Sequence, residues 1–85
     1  MKAILFEDYG DASVMTVGET PAPTINDDEV LIKVAAAGIN RPDILQRQGG
    51  YPPPEGASKI LGLEVSGVIV EIGKNISQNF LNKEV

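Results

Sequence analysis

Residues 27–40 read DDEVLIKVAAAGIN, and the rest of the chain can be placed around them. Asn26-Asp27-Asp28 is a polar turn and lead-in. From Glu29 to Ala37 the run EVLIKVAAA sets Val30, Ile32 and Val34 on one parity and Leu31, Lys33 and Ala35 on the other. One face is wholly apolar and the other mixed, which predicts a half-buried strand. Gly38 ends it. Asn40 then opens a short helix. Asn is a favoured N-cap, Pro42 is tolerated in the first turn, and Asp43 sits where the helix dipole favours an anion. Ile44 to Gln48 continue the helix, and Gly49-Gly50 supplies a left-handed stop.

Toward the N-terminus, Lys2 to Glu7 (KAILFE) and Val14 to Glu19 (VMTVGE) predict two strands around the turn Asp8-Tyr9-Gly10-Asp11. Thr20-Pro21-Ala22-Pro23 cannot continue a central strand, because proline lacks the backbone donor. Toward the C-terminus, Tyr51-Pro52-Pro53-Pro54-Glu55-Gly56 is a proline-stiffened loop. Ile60 to Ile72 (ILGLEVSGVIVEI) is the longest apolar stretch, and its β-branched Val68-Ile69-Val70 centre argues for strand over helix. Gly62 and Gly67 interrupt it and predict bends or a close backbone approach. Gly73-Lys74-Asn75 is a turn, and the tail from Ile76 is polar with isolated apolar anchors. The expectation is four or five strands and one short helix.

The composition is that of an ordinary globular chain: 85 residues, 42% hydrophobic, 22% charged. A formal net charge of −5 with seven scattered Lys and Arg leaves no electrostatic footprint for nucleic acid or an anionic membrane. No apolar run is long enough to span a bilayer, and no secretory leader opens the chain, so it is expected to be soluble and cytoplasmic. The absence of Cys and His removes disulfides, thiolate chemistry and every Cys/His zinc site. Neither G-x-G-x-x-G nor G-x-x-x-x-G-K-[ST] occurs. Gly62 and Gly67 have the P-loop spacing, but Val68 stands where Lys is required.

In their order, MKAILFEDYG, DDEVLIKVAAAGIN, NRPDILQRQGGYPPP and GLEVSGVIVEIG resemble the amino-terminal GroES-like domain of the medium-chain dehydrogenase/reductase superfamily. The resemblance covers nearly the whole chain and implies a mainly β fold, a partial GroES-like barrel with one short helix. The zinc-dependent alcohol dehydrogenases of that superfamily place a Cys ligand just after the Gly-Ile of the strand and a His ligand in a later Gly-His-Glu triplet. Here Asn40 takes the first position and Leu63, in Gly62-Leu63-Glu64, the second. Neither side chain supplies a thiolate or an imidazole. That pattern, with Asn40-Arg41-Pro42-Asp43 and Gln46-Arg47-Gln48-Gly49, is similar to the zinc-independent, zeta-crystallin-like quinone oxidoreductases.

The resemblance implies an enzyme piece: residues 1–85 as a truncated substrate-side domain, with the Rossmann domain outside this chain. The family activity is hydride transfer from NADPH to a quinone or conjugated carbonyl, in a homodimer without metal. The fragment is expected to be inactive alone and to bind NADPH poorly. Four residues become site candidates, each with a structural reading beside it. Asn40 would face the nicotinamide and substrate, or simply cap the helix. Asp43 would touch substrate or orient its neighbours, or answer the helix dipole. Leu45 stands where relatives carry a Tyr near the cofactor, or packs in the core. Tyr51 would stack on a flat quinone or nicotinamide ring, or anchor its loop. Arg41 and Arg47 could meet an acidic cofactor group or remain solvated. Glu64 fits a structural role beside the cleft. The alternative is a standalone binding or assembly module of the co-chaperonin type, which the chain length suits and the proline-stiff loop does not. Missing strands would leave an unpaired edge on the first strand or on the Ile60–Ile72 strand, and hence self-association. In the tail, Asn82 falls where the resemblance expects a turn glycine. Asn tolerates a left-handed backbone there.

Overall fold

A computed structural model describes all residues, Met1–Val85. It is mainly strand with one short helix, in two two-stranded antiparallel sheets, neither of them closed. The chain divides into two compact units. The first comprises Met1–Pro21 with Ile39–Leu63, the second Ala22–Gly38 with Glu64–Val85.

In the first unit, strand β1 (Lys2–Leu5) pairs with β2 (Thr16–Glu19), Lys2 opposite Glu19 and Leu5 opposite Thr16. The second strand is shorter than the sequence predicts. Ala12–Val14 instead form a 3₁₀ turn, because the Asp11 carboxylate takes the Ser13 N–H at 2.9 Å and bends the chain before extension begins at Thr16. Helix α1 (Arg41–Gln48) starts and stops where its caps require. Asn40 is extended at φ −127° and ψ 162°, and Gly49 turns left-handed at φ 93°. Gly50 N–H closes the end on the Leu45 carbonyl at 2.8 Å. The last turn is tied to the loop after β1. Gly10 N–H donates to the Arg47 carbonyl and Arg47 Nε donates to the Gly10 carbonyl, both at 3.1 Å. The Tyr9 ring lies directly over Gly49, where a Cβ would come within 3.0 Å of Tyr9 Cγ.

In the second unit, β3 (Val30–Ala37) pairs with β4 (Val65–Ile72), running from Val30 opposite Ile72 to Ala37 opposite Val65. The register shifts at Leu31/Ile32 and again at Val34/Ala36. Gly67 realises the predicted close approach, since a Cβ there would lie 2.1 Å from the Lys33 carbonyl oxygen. Gly62 realises the predicted bend at φ 113°, and it is why Ile60–Glu64 fall outside the strand that the apolar run predicts. Asn82 is left-handed at φ 67°, as its place in the tail suggested. Beyond it the chain pairs with the far edge of β4. Ile69 N–H donates to the Lys83 carbonyl, and Gly67 and Val85 exchange N–H···O bonds, all at 2.9 Å. Strand β4 therefore has neighbours on both sides, contrary to the expectation of an open edge there. In this sheet the open edge belongs to β3, and in the other sheet β1, with β2 as its one neighbour, has the open edge that was the alternative expectation.

Burial does not follow the alternation read in the sequence. Val30, Leu31 and Ile32 are half-buried, and Lys33 to Ala37 are exposed on both parities. Parity says which side chains share a face, and it takes a covering layer to bury that face. Ile69 is the one apolar side chain in the buried class, at 3% exposure.

Candidate functional site

The residues singled out by sequence gather at the start of α1 and in the loop after it. Asn40, Asp43, Leu45 and Tyr51 all lie in the first compact unit. Asn40 is exposed at the extended N-cap, and Tyr51 is exposed beside its prolines. Leu45 is half-buried. Asp43 is buried at 7% exposure, and its Oδ2 accepts the Asn40 backbone N–H at 2.9 Å. The Asp43 N–H in turn donates to the Asn40 carbonyl at 3.0 Å. This is the return arm of a capping box, in which the third helical residue satisfies the backbone donor of the cap. Asp43 Oδ1 has no hydrogen-bond partner and is shut off from solvent. A buried carboxylate oxygen left in that state is costly, and such atoms call for an explanation beyond packing.

Gln46, three residues on and on the same helix face, is the second buried polar side chain, and sequence reasoning passed over it. Its Nε2 donates to the Lys59 carbonyl at 3.2 Å, pinning the segment after the proline loop to the helix. The i, i+3 spacing puts Gln46 on the Asp43 face, but nothing in the sequence marks that face as covered. Arg47 Nε is engaged with the Gly10 carbonyl, a structural tie, while Arg41 is exposed. A separate depression of about 200 Å³ in this unit is bordered by Ile4, Phe6, Thr20, Lys59 and Ile60, and includes none of the four candidates.

Leu63 is exposed in the first unit. In the second unit Glu64 lies over Gly38. Its carbonyl accepts the Gly38 N–H at 2.9 Å, and a Cβ on Gly38 would meet Glu64 Oε2 at 2.0 Å. The chain holds no grouping of three or more His, Cys, Asp or Glu suited to a metal ion. Asn40 and Leu63 offer a carboxamide and a hydrocarbon where zinc would need a thiolate and an imidazole, so the donor set does not fit that ion. No helix is long and apolar enough to cross a membrane.

Residues 26–84 match the family model of the alcohol dehydrogenase GroES-like domain. The chain belongs to that family. Among relatives of this GroES-like domain, an NADPH-dependent alkenal/one oxidoreductase of Arabidopsis thaliana chloroplasts is 36% identical over 78 residues, covering 89% of this chain and 20% of the relative. The quinone oxidoreductase of Coxiella burnetii superposes with a TM-score of 0.86 at 30% identity, covering 99% of this chain and 28% of that one. The Escherichia coli quinone oxidoreductase in complex with NADPH gives the same TM-score at 27% identity, over 99% of this chain and 26% of its own. The fold is thus a partial GroES-like barrel, mainly β with one short helix. The chain spans about a fifth of the length of the curated relatives it matches.

Proposed function

We propose that this GroES-like domain is the substrate side of an NADPH-dependent reductase of quinones or conjugated carbonyls that works without zinc. The observation that carries the reading is Asn40, held exposed at the strand-to-helix junction by the Asp43 carboxylate, at the position where zinc-dependent members carry a thiolate. The names of the relatives and solved neighbours support the reaction class. NADPH, when bound, supplies the hydride, and a proton completes reduction of the quinone to the hydroquinone. On this side of the reaction Asn40 and Leu45 would face the cofactor, and Asn40 and Tyr51 the substrate, while Asp43, buried behind the cap, would orient Asn40 rather than touch substrate. Their contribution is to hold the substrate ring in register and to exclude water.

No dinucleotide fingerprint occurs in these residues, so the reading assigns turnover to their combination with a nucleotide-binding domain. It includes a dimeric, cytoplasmic enzyme, as the resemblance implies. The test is NADPH oxidation with a quinone and with an enone, with and without a chelator. It is run on this chain and on a polypeptide joining it to a nucleotide-binding domain. Chelator-insensitive turnover in the longer form and none in the shorter is the expected result. Activity that vanishes with the metal would overturn the zinc-free assignment.

A further inference from the structure

The segment after α1 leaves the helix and comes back to it, and one residue fastens both ends. Gly49 N–H donates to the Gln46 carbonyl at 3.1 Å as the chain leaves. Gln46 Nε2 donates to the Lys59 carbonyl at 3.2 Å as it returns. The Gln46 side chain is buried at 8% exposure, where an amide without a partner would be costly.

Between those two points the chain is stiff by its own chemistry. Pro52, Pro53 and Pro54 each fix φ. Pro54 to Ala57 make a tight turn, with Ala57 N–H on the Pro54 carbonyl at 3.0 Å and Gly56 left-handed at φ 83°. Ser58 Oγ accepts the Ile60 N–H at 3.1 Å. Such a segment moves as a body about its ends. Tyr51 belongs to that body, because a residue before proline is itself restricted to extended backbone, so the joint on this side is Gly50. The return end is held to the helix through the Gln46 amide. Gln46 also lies three residues from Asp43, on the same face of α1. The helix face that fixes Asn40 through Asp43 therefore fixes Tyr51 through Gln46.

We propose that Gln46 is a positioning residue: its side-chain amide holds Tyr51 at the setting in which a flat ring can stack on it, and so gives the site a preference for quinones over acyclic enones. The proposal rests on the reading of Tyr51 as substrate-facing given above. Releasing the Lys59 carbonyl lets the loop take other settings about Gly50. The competent fraction falls, and the apparent affinity for a ring falls with it. An acyclic enone offers Tyr51 no ring and is indifferent to the change.

Gln46→Met keeps the length of the side chain and removes the donor. The first measurement is backbone amide relaxation on the 85-residue chain. In the parent the Tyr51, Ala57, Ser58 and Lys59 amides should have order parameters of about 0.85, and in the variant these should fall below about 0.6. The Gly10 amide, bonded to the Arg47 carbonyl, should not change. The second measurement is kinetic, in the polypeptide that joins this domain to a nucleotide-binding domain. KM for benzoquinone should rise about three- to tenfold, with kcat and the KM for an acyclic enone unchanged. Should Gln46→Met unfold, Gln46→Glu keeps the shape, lacks the donor when ionised, and is read in the same way. Loop amides that stay ordered in the variant overturn the proposal, as do loop amides already mobile in the parent. A KM that rises equally for both substrates, or for neither, overturns it too. A parent polypeptide that reduces neither substrate refutes the reductase reading and the substrate preference with it, whereas the relaxation measurements still decide whether Gln46 holds the loop.

Discussion

The Asp43 carboxylate accepts the backbone N–H of Asn40 at 2.9 Å, so the residue that begins α1 is held by one three positions inside it. The bond does two things at once. It satisfies a backbone donor that an α-helix leaves orphaned at its start, and it fixes the backbone from which the Asn40 side chain projects. Asp43 in turn is buried, with Oδ1 unpartnered.

Asp43→Ala should therefore lower stability by about 1 kcal/mol, the usual scale for losing a cap. Removing the unpartnered Oδ1 relieves part of the loss, so the variant should not approach the cost of breaking a fully bonded buried group. Asp43→Asn keeps an acceptor for the Asn40 N–H and should lie between the variant and the parent. Urea denaturation midpoints at constant slope give the order.

Gly67→Ala should be far more damaging than Gly38→Ala, although both glycines are crowded. A Cβ at position 67 meets the backbone carbonyl of Lys33, which cannot move without breaking the β3–β4 ladder. A Cβ at position 38 meets the end of the Glu64 side chain, which can rotate away. The first should cost about 1–3 kcal/mol or more and the second under about 1 kcal/mol. Loss of exchange protection at Lys33 and Val68 in Gly67→Ala alone would locate the damage.

Those two glycines also mark how far the sequence could be read. Gly67 inside an apolar strand signalled a close approach, and Asn40 with Gly49 bounded the helix, because such features act over one turn or one pair of strands. Asn82 met the left-handed backbone that its side chain tolerates. What could not be read depended on partners distant in the chain. Ile60 to Glu64 looked like strand until Gly62 turned the backbone at φ 113°. Val14 and Met15 looked like strand, but the Asp11 side chain offered Ser13 a local bond instead. The apolar parity of β3 was correct as a pattern, yet no layer covers Val34. At the candidate site, the placement of Asn40, Asp43 and Leu45 on the capped helix and of Tyr51 in the loop after it was legible from residue order. Gln46 was not, since a helical glutamine reads as surface until the Lys59 carbonyl is placed beside it.

Asp11 makes the stability of the first unit depend on pH in a definite direction. The Ser13 hydroxyl, and after it the Ser13 backbone N–H, hold the Asp11 carboxyl below its ordinary value. A group whose folded value is depressed stabilises the fold above its unfolded value, and that contribution is lost as pH falls through the folded one. The effect thus lies at the acid end of the carboxylate range and vanishes at neither neutral nor alkaline pH. Ser13→Ala should raise the Asp11 midpoint in a side-chain NMR titration. It should also move the onset of the acid-induced change in the Ala12–Val14 turn to higher pH.

Asn40 carries both a capping role and the proposed role toward substrate and cofactor, and one substitution can separate them. Serine is as good an N-cap as asparagine, so Asn40→Ser should leave thermal stability within about 0.5 kcal/mol of the parent. It also leaves the backbone N–H that Asp43 accepts. What it removes is the carboxamide, and with it any hydrogen bond offered to a ring carbonyl. In the polypeptide that joins this domain to a nucleotide-binding domain, kcat/KM for quinone should fall on the order of tenfold, the effect of one lost neutral hydrogen bond in the transition state. The split between the constants identifies the moment at which the contact acts. A rise in KM alone means the carboxamide holds the substrate equally before and during transfer, whereas a fall in kcat means it tightens as charge moves onto the carbonyl oxygen. Unchanged kinetics with unchanged stability would reduce Asn40 to its cap.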